Sequence, residues 1–222
     1  MGYFALFLMS YFLGAVPFAY LVTKALTGVD IRTVGSGNVG ATNVRRAAGN
    51  AAAGVVLALD VAKGFVPAHF FPTWFAGVLP GLSPEFAGVL AGLGAILGHV
   101  FTLFLRFRGG KGVATSCGVA FGLAPLQGGI ALGVFVVVVA IWRYISLGSM
   151  SAALAFLLSL VLLGKEPWGK GLPLTVFALA IAALILLRHR MNISRLLAGT
   201  EHKLGRDTEA GRQGETKVPP PS

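Results

Sequence analysis

Long apolar stretches separated by short polar connections set the pattern of this chain. Windows long enough for membrane helices fall near Tyr3 to Thr23, Ala51 to Phe71, Pro84 to Leu105, Val113 to Ala124, Gly128 to Trp142, Gly148 to Leu163 and Leu172 to Leu187. A helix needs about 20 mostly apolar residues to cross a hydrocarbon layer. The pattern therefore predicts an all-α, polytopic membrane protein with seven transmembrane helices. The fourth and fifth windows are short, and Pro125 with Gln127 between them marks either a tight turn or a kink, which keeps five or six spans in play. The first window runs to Lys24 without a basic leader and is longer than the apolar part of a signal peptide, so it reads as a retained span.

Composition agrees. Hydrophobic residues make up 55% of the 222 and charged ones 12%, with a mean hydropathy of +0.80, which excludes an ordinary soluble domain. Lys and Arg number 18 against 8 Asp and Glu, and their placement is one-sided. The connections after spans one, three and five hold Lys24, Arg32, Arg45, Arg46, Arg106, Arg108, Lys111 and Arg143, and the segment after span seven adds Arg188, Arg190, Arg195, Lys203, Arg206, Arg212 and Lys217. The opposite connections contain only Lys165 and Lys170. Basic residues gather on the cytoplasmic side, so the N-terminus is expected outside and the C-terminus inside. Residues 1–201 read as one membrane-embedded domain, and 202–222, ending in KVPPPS, as a disordered cytoplasmic tail. Gly88 and Gly92, Gly94 and Gly98, Gly118 and Gly122, and Gly129 and Gly133 have the GxxxG spacing of close helix packing. The lone Cys117 excludes an intramolecular disulfide.

With this alternation four polar segments reach one membrane face: VGSGNVGATNVRR (34–46), GHVFTLFLRFRGGKGVAT (98–115), RYISLGS (143–149) and RHRMNISRLLAGTE (188–201). The first two have the ingredients of anion sites. Glycines let successive backbone N–H groups converge on one oxygen-rich group, hydroxyls and amides add donors, and Lys or Arg adds full charge. Ser36, Asn38, Thr42 and Asn43 are the expected donors of the first loop, with Gly37 and Gly40 bending the chain. Lys111 sits among Gly109, Gly110 and Gly112 where a helix begins, which adds that helix's positive end. Two such loops predict two phosphate groups.

Other chemistries fit poorly. A nucleotide P-loop needs Ser or Thr after the lysine, and Gly112 stands there. The bases are scattered among membrane loops without a soluble platform, which argues against nucleic acid. No nucleophilic triad, metal-ligand spacing or cofactor motif appears, and HxxxxD at His202 and Asp207 lies in the tail without apolar context. His189 and Asn192 share a helix face, as active-site donors or as caps of a helix end. Asp60 and Lys63 lie inside span two at a spacing that allows an ion pair, with ligand positioning or proton transfer as the alternative.

These segments closely resemble the motifs of the bacterial acyl phosphate:glycerol-3-phosphate acyltransferases, the PlsY family, from the first span to about Glu201. The resemblance implies a seven-helix enzyme of the bacterial inner membrane with its active site facing the cytoplasm. Such an enzyme moves a fatty acyl group from long-chain acyl phosphate to the 1-hydroxyl of glycerol 3-phosphate, without cofactor or acyl-enzyme, and gives lysophosphatidic acid. Its catalytic positions would be Ser36, Lys111, His189 and Asn192. Its binding positions would be Gly37, Asn38, Gly40, Thr42, Asn43 and Arg46, then Gly109, Gly110, Gly112 and Thr115, then Ser149 and Glu201. Thr102, where the family usually has proline, and Arg108, where it usually has lysine, depart from the pattern. A transporter of a phosphorylated solute is the rival reading, weakened by the bare opposite loops.

Overall fold

The computed structural model describes residues 2–78, 81 and 83–205. Most of the predicted tail, with Asp207 of HxxxxD, lies outside the described residues. The regular structure described is helical throughout. Its α-helices are α1 (Gly2–Ala15), α2 (Phe18–Thr27), α3 (Ala41–Trp74), α4 (Pro84–Val100), α5 (Val113–Leu123), α6 (Pro125–Trp142), α7 (Ile145–Leu163), α8 (Leu172–Arg188) and α9 (Arg190–Leu197).

By length and apolarity five spans are supported among the described residues: Gly2–Thr27, Ala41–Trp74, Pro84–Leu105, Pro125–Trp142 and Ile145–Leu163. A sixth exists if α8 and α9, bent by 59° at His189, count as one. The expected fourth span is not among them: α5 is as short as its window, with 11 residues, about 17 Å at a rise of ~1.5 Å per residue. The backbone bounds it at both ends. Gly112 precedes it in the left-handed region (φ 85), and Ala124 (φ −148, ψ 76) breaks it before Pro125 opens α6. Pro125 thus marks a tight turn rather than a kink within one helix.

Two other breaks shape the bundle. Gly49 (φ 84, ψ 179) divides α3, so the basic first turns leave the axis of the apolar remainder. Pro17 follows the end of α1 and separates it from α2, which frees carbonyls at the bend. Thr102 donates its hydroxyl to the Ala15 carbonyl at 2.6 Å, and Lys63 Nζ donates to the Val16 carbonyl at 2.9 Å. Lys63 also pairs with Asp60 at 2.8 Å, the ion pair that the spacing allowed. Buried charge is tolerated in a span when it is paired and hydrogen-bonded, as here.

Glycines bring the helices close. A Cβ at Gly94 or Gly98 would strike the backbone of α1, and one at Gly118 would strike the Val61 carbonyl of α3. Gly88 meets the Leu123 side chain and the Ala68 carbonyl, Gly92 the Val119 side chain, and Gly122 the side of α3 at Ala68 and His69. Gly129 and Gly133 depart from the expectation: nothing lies within 4 Å of a Cβ at either, so this pair packs against no other helix here.

Candidate active site

One cavity of about 1400 Å³ is lined by residues of all four polar segments. A pocket for a single small molecule usually occupies roughly 300–1,000 Å³. There is room for more than one ligand.

The first wall is the loop between α2 and α3. Asp30 accepts the Arg32 N–H at its start, and the Arg32 guanidinium pairs with the same carboxylate at 2.6 Å. Those hydrogen bonds hold the Asp30 carboxyl down at about 2. Gly35 (φ 55) and Gly37 (φ 66) then take left-handed turns that favour glycine. Asn43 fixes the loop from within. Its amide nitrogen donates to the carbonyls of Ile31 (3.1 Å) and Val34 (2.9 Å), while its oxygen accepts the Ser36 N–H at 3.2 Å. Asn43 lines the cavity, yet its polar atoms are engaged by backbone, so it shapes the loop where donation to a ligand was expected. Ser36, Gly37, Asn38, Gly40, Thr42 and Arg46 line the cavity too. Because α3 begins at Ala41, its positive end stands in this wall.

The second wall is the RGGKG loop. It is tied to the end of α4 by the N–H groups of Gly109 and Gly110, which donate to the carbonyls of Val100 and His99. A Cβ at Gly109 would strike those carbonyls, and one at Gly110 would strike the His99 ring and the Val39 carbonyl. Arg188 holds the loop from the other side, with Nη2 donating to both glycine carbonyls at 3.1 Å. Gly109, Lys111 and Gly112 line the cavity. Gly110 does not; it borders a small void beside Asp60, Lys63 and His99.

Lys111 begins a polar chain across the site. Its ammonium donates to Asn192 Oδ1, and Asn192 Nδ2 donates to Glu201 Oε1 at 2.6 Å. Ser146 donates to the same oxygen at 2.7 Å, and Arg195 Nε donates to Oε2 at 2.7 Å. Burial pushes Lys111 down to about 8, opposed in part by the charge of Glu201. Burial alone would raise Glu201, but its bonds from Asn192, Ser146 and Arg195 prevail and keep its carboxyl below the ordinary range. His189 sits at the break between α8 and α9, where its Nδ1 lies 2.8 Å from the Ile185 carbonyl. A carbonyl only accepts, so Nδ1 carries the proton and Nε2 is the free position. Ser149 donates to the Ile145 carbonyl at 2.8 Å. His189, Asn192, Ser149 and Glu201 all line the cavity.

Thr115, like Gly110, is an expected site residue that does not line the cavity. It is fully buried against α3, where a Cβ at Gly64 would meet its carbonyl. On α5 Val113, Ala114, Ser116, Cys117, Ala120 and Phe121 line the cavity, while Thr115, Gly118 and Gly122 face inward to α3. Sequence reasoning assigned no role to Arg188 or Ser146. Arg188 looked like one more base at a span end, and its grip on a loop far away in sequence left no local signal.

Below the polar walls the cavity continues as an apolar arm between α5, α6, α7 and α8. Leu132 and Phe135 of α6, Ala153 and Phe156 of α7, and Phe177 and Ile181 of α8 are among its walls. The site thus joins a phosphate-suited mouth to a slot suited to a hydrocarbon chain.

Comparison with known proteins agrees with this combination. A family model described as glycerol-3-phosphate acyltransferase matches residues 4–199. A protein of that name from Thermoanaerobacter sp. (strain X514) is 43% identical over 204 residues, covering 91% of this chain and 96% of its own. A crystal structure of PlsY, an integral membrane glycerol 3-phosphate acyltransferase, in its glycerol 3-phosphate form has a TM-score of 0.81 at 38% identity, covering 92% of this chain and 96% of that one. Its lysophosphatidic acid form has a TM-score of 0.78 at 36% identity over the same shares. This chain belongs to the glycerol-3-phosphate acyltransferase family of integral membrane proteins typified by PlsY.

Proposed function

We propose that this protein transfers a long-chain acyl group from acyl phosphate to the 1-hydroxyl of glycerol 3-phosphate, releasing lysophosphatidic acid and phosphate. The observation that carries the reading is the single cavity in which two glycine loops, Lys111 and Arg46 share a mouth with an apolar arm. The related crystal structures were solved in glycerol 3-phosphate and lysophosphatidic acid forms, an acceptor and a product of that chemistry.

The transfer is direct. The glycerol hydroxyl oxygen attacks the acyl carbonyl, the bond from that carbon to the phosphate oxygen breaks, and the hydroxyl proton leaves with the phosphate. Acyl phosphate carries a good leaving group, so most of the catalysis is positioning of two bound reactants. Lys111, Ser36 and the amides leading into α3 face the departing phosphate as preorganised positive charge. Arg46, His189 and Asn192 hold glycerol 3-phosphate. Asn192 also orients Lys111, and Glu201 fixes Asn192. Gly37, Asn38, Gly40 and Thr42 form the first cradle, with Asn43 setting its shape. Gly109 and Gly112 form the second, with Gly110 packed behind it against His99, and Ser149 completes the wall.

The proposed topology has seven crossings, with the α1–α2 pair, α3, α4, α5, α6, α7 and α8 each making one. The cavity mouth with its bases then faces the cytoplasm, the N-terminus lies outside, and the bilayer is the inner membrane of a bacterium. Purified protein in detergent should convert palmitoyl phosphate and glycerol 3-phosphate to lysophosphatidate. Turnover with acyl-CoA but not with acyl phosphate would reverse the donor assignment. Uptake of glycerol 3-phosphate into sealed vesicles without conversion would favour a transporter.

A further inference from the structure

The apolar arm ends abruptly on four helices, reaching as far as Gly128 on α6. On α7 Phe156 lines it, but Leu160, one turn deeper, does not. On α5 the lining stops at Phe121 before Ala124, and on α8 it stops at Phe177 before Leu174. The residues just beyond the end are packed: Ala124 and Leu160 form one buried apolar cluster with Ala120, Ala131, Phe156 and Ala178, and Leu174 packs against it. The arm has a floor.

Three of these residues form a ring just above that floor, where the lining of α6 continues one turn deeper to Gly128. The hairpin between α6 and α7 turns at Arg143, which places Ala131 of α6 level with Phe156 of α7. The loop between α7 and α8 likewise brings Ala178 to that level. All three line the cavity and are nearly closed to solvent, and two of them are alanines facing one phenylalanine.

We propose that this ring, Ala131, Phe156 and Ala178, sets the acyl-chain length that the protein accepts. The inference rests on the acyl-phosphate reading above and adds what decides between donors. Below His189 of the polar mouth, the apolar lining of α8 runs from Ile185 to Phe177. At a rise of ~1.5 Å per residue the arm is about 12 Å deep. An extended chain advances about 1.3 Å per methylene, given carbon–carbon bonds of about 1.5 Å. The arm therefore holds roughly nine methylenes below a carbonyl seated in the mouth, a little short of a dodecanoyl chain. A longer chain must bend out between α6 and its neighbours into lipid.

The test compares palmitoyl phosphate with dodecanoyl phosphate as donors, taking the ratio of the two kcat/KM values within each protein. That ratio does not depend on how much of a variant is folded. Ala131→Phe raises the floor by one ring and should lower the palmitoyl-to-dodecanoyl ratio by about tenfold or more, on the scale at which apolar pockets reject added methylenes. Phe156→Ala removes the ring and should move the ratio the other way. Val136→Phe, on an exposed position of the same helix, should leave it unchanged. If both ring variants keep the ratio of the unaltered protein, or if Val136→Phe moves it as far as Ala131→Phe does, the ring does not read chain length. If the unaltered protein uses neither acyl phosphate, the failure lies in the proposed reaction, and the ruler falls with it.

Discussion

At the scale of single residues, Lys111 and the groups that hold it carry the site. Lys111→Ala should lower kcat by about 10²–10³, the cost of removing one preorganised donor to developing charge. Unchanged turnover would remove Lys111 from the chemistry. Because burial draws its ionisation down to about 8, the cationic form that binds phosphate is lost as pH rises through that value. Free-enzyme ionisation shows in kcat/KM, so kcat/KM should fall above about pH 8 while kcat holds further into alkali, where bound phosphate keeps the ammonium charged. A flat kcat/KM from pH 7 to 10 would contradict this. Asn43 acts differently, by satisfying three backbone groups of the first loop. Asn43→Ala leaves an N–H and two carbonyls without partners, at about 1–3 kcal/mol for each group that stays dry. Both thermal stability and activity should fall, and Asn43→Asp should rescue neither, since a carboxylate donates nothing to the two carbonyls.

At the scale of elements, glycines and one ion pair set how helices meet. Gly98→Leu should prevent α4 from seating on α1, whereas Gly133→Ala, with open space at its Cβ, should leave melting temperature and activity nearly unchanged. Lys63→Met leaves Asp60 inside α3 with the His99 ring at 3.7 Å but without its ammonium partner, and breaking a buried pair in this way costs up to about 3–5 kcal/mol. Much of this was legible in the sequence. The apolar windows gave the helices α3, α4, α6, α7 and α8, and GxxxG marked the α1–α4 and α3–α5 contacts. Yet the same spacing at Gly129 and Gly133 marked no contact, because GxxxG records small size and not which face turns inward. The break at Pro17 was hidden, because hydropathy sums side chains and this feature comes from backbone geometry, whereas the shortness of α5 was already visible in its window. In the site, glycine loops and their bases were visible as composition. The inward turn of Thr115, the engagement of Asn43 and the grip of Arg188 on Gly109 and Gly110 are three-dimensional facts without a local signature.

At the scale of the whole molecule, the bundle brings four sequence segments to one mouth and places an apolar arm beneath it. The proposed reaction has one kinetic consequence: acyl donor and glycerol 3-phosphate occupy the cavity together, and no acyl group rests on the protein between them. Initial rates measured over a grid of both substrate concentrations test this most directly. The account predicts double-reciprocal lines that intersect, the pattern of a ternary complex. Parallel lines, with a burst of phosphate released before glycerol 3-phosphate is added, would reveal a covalent acyl-enzyme and contradict it.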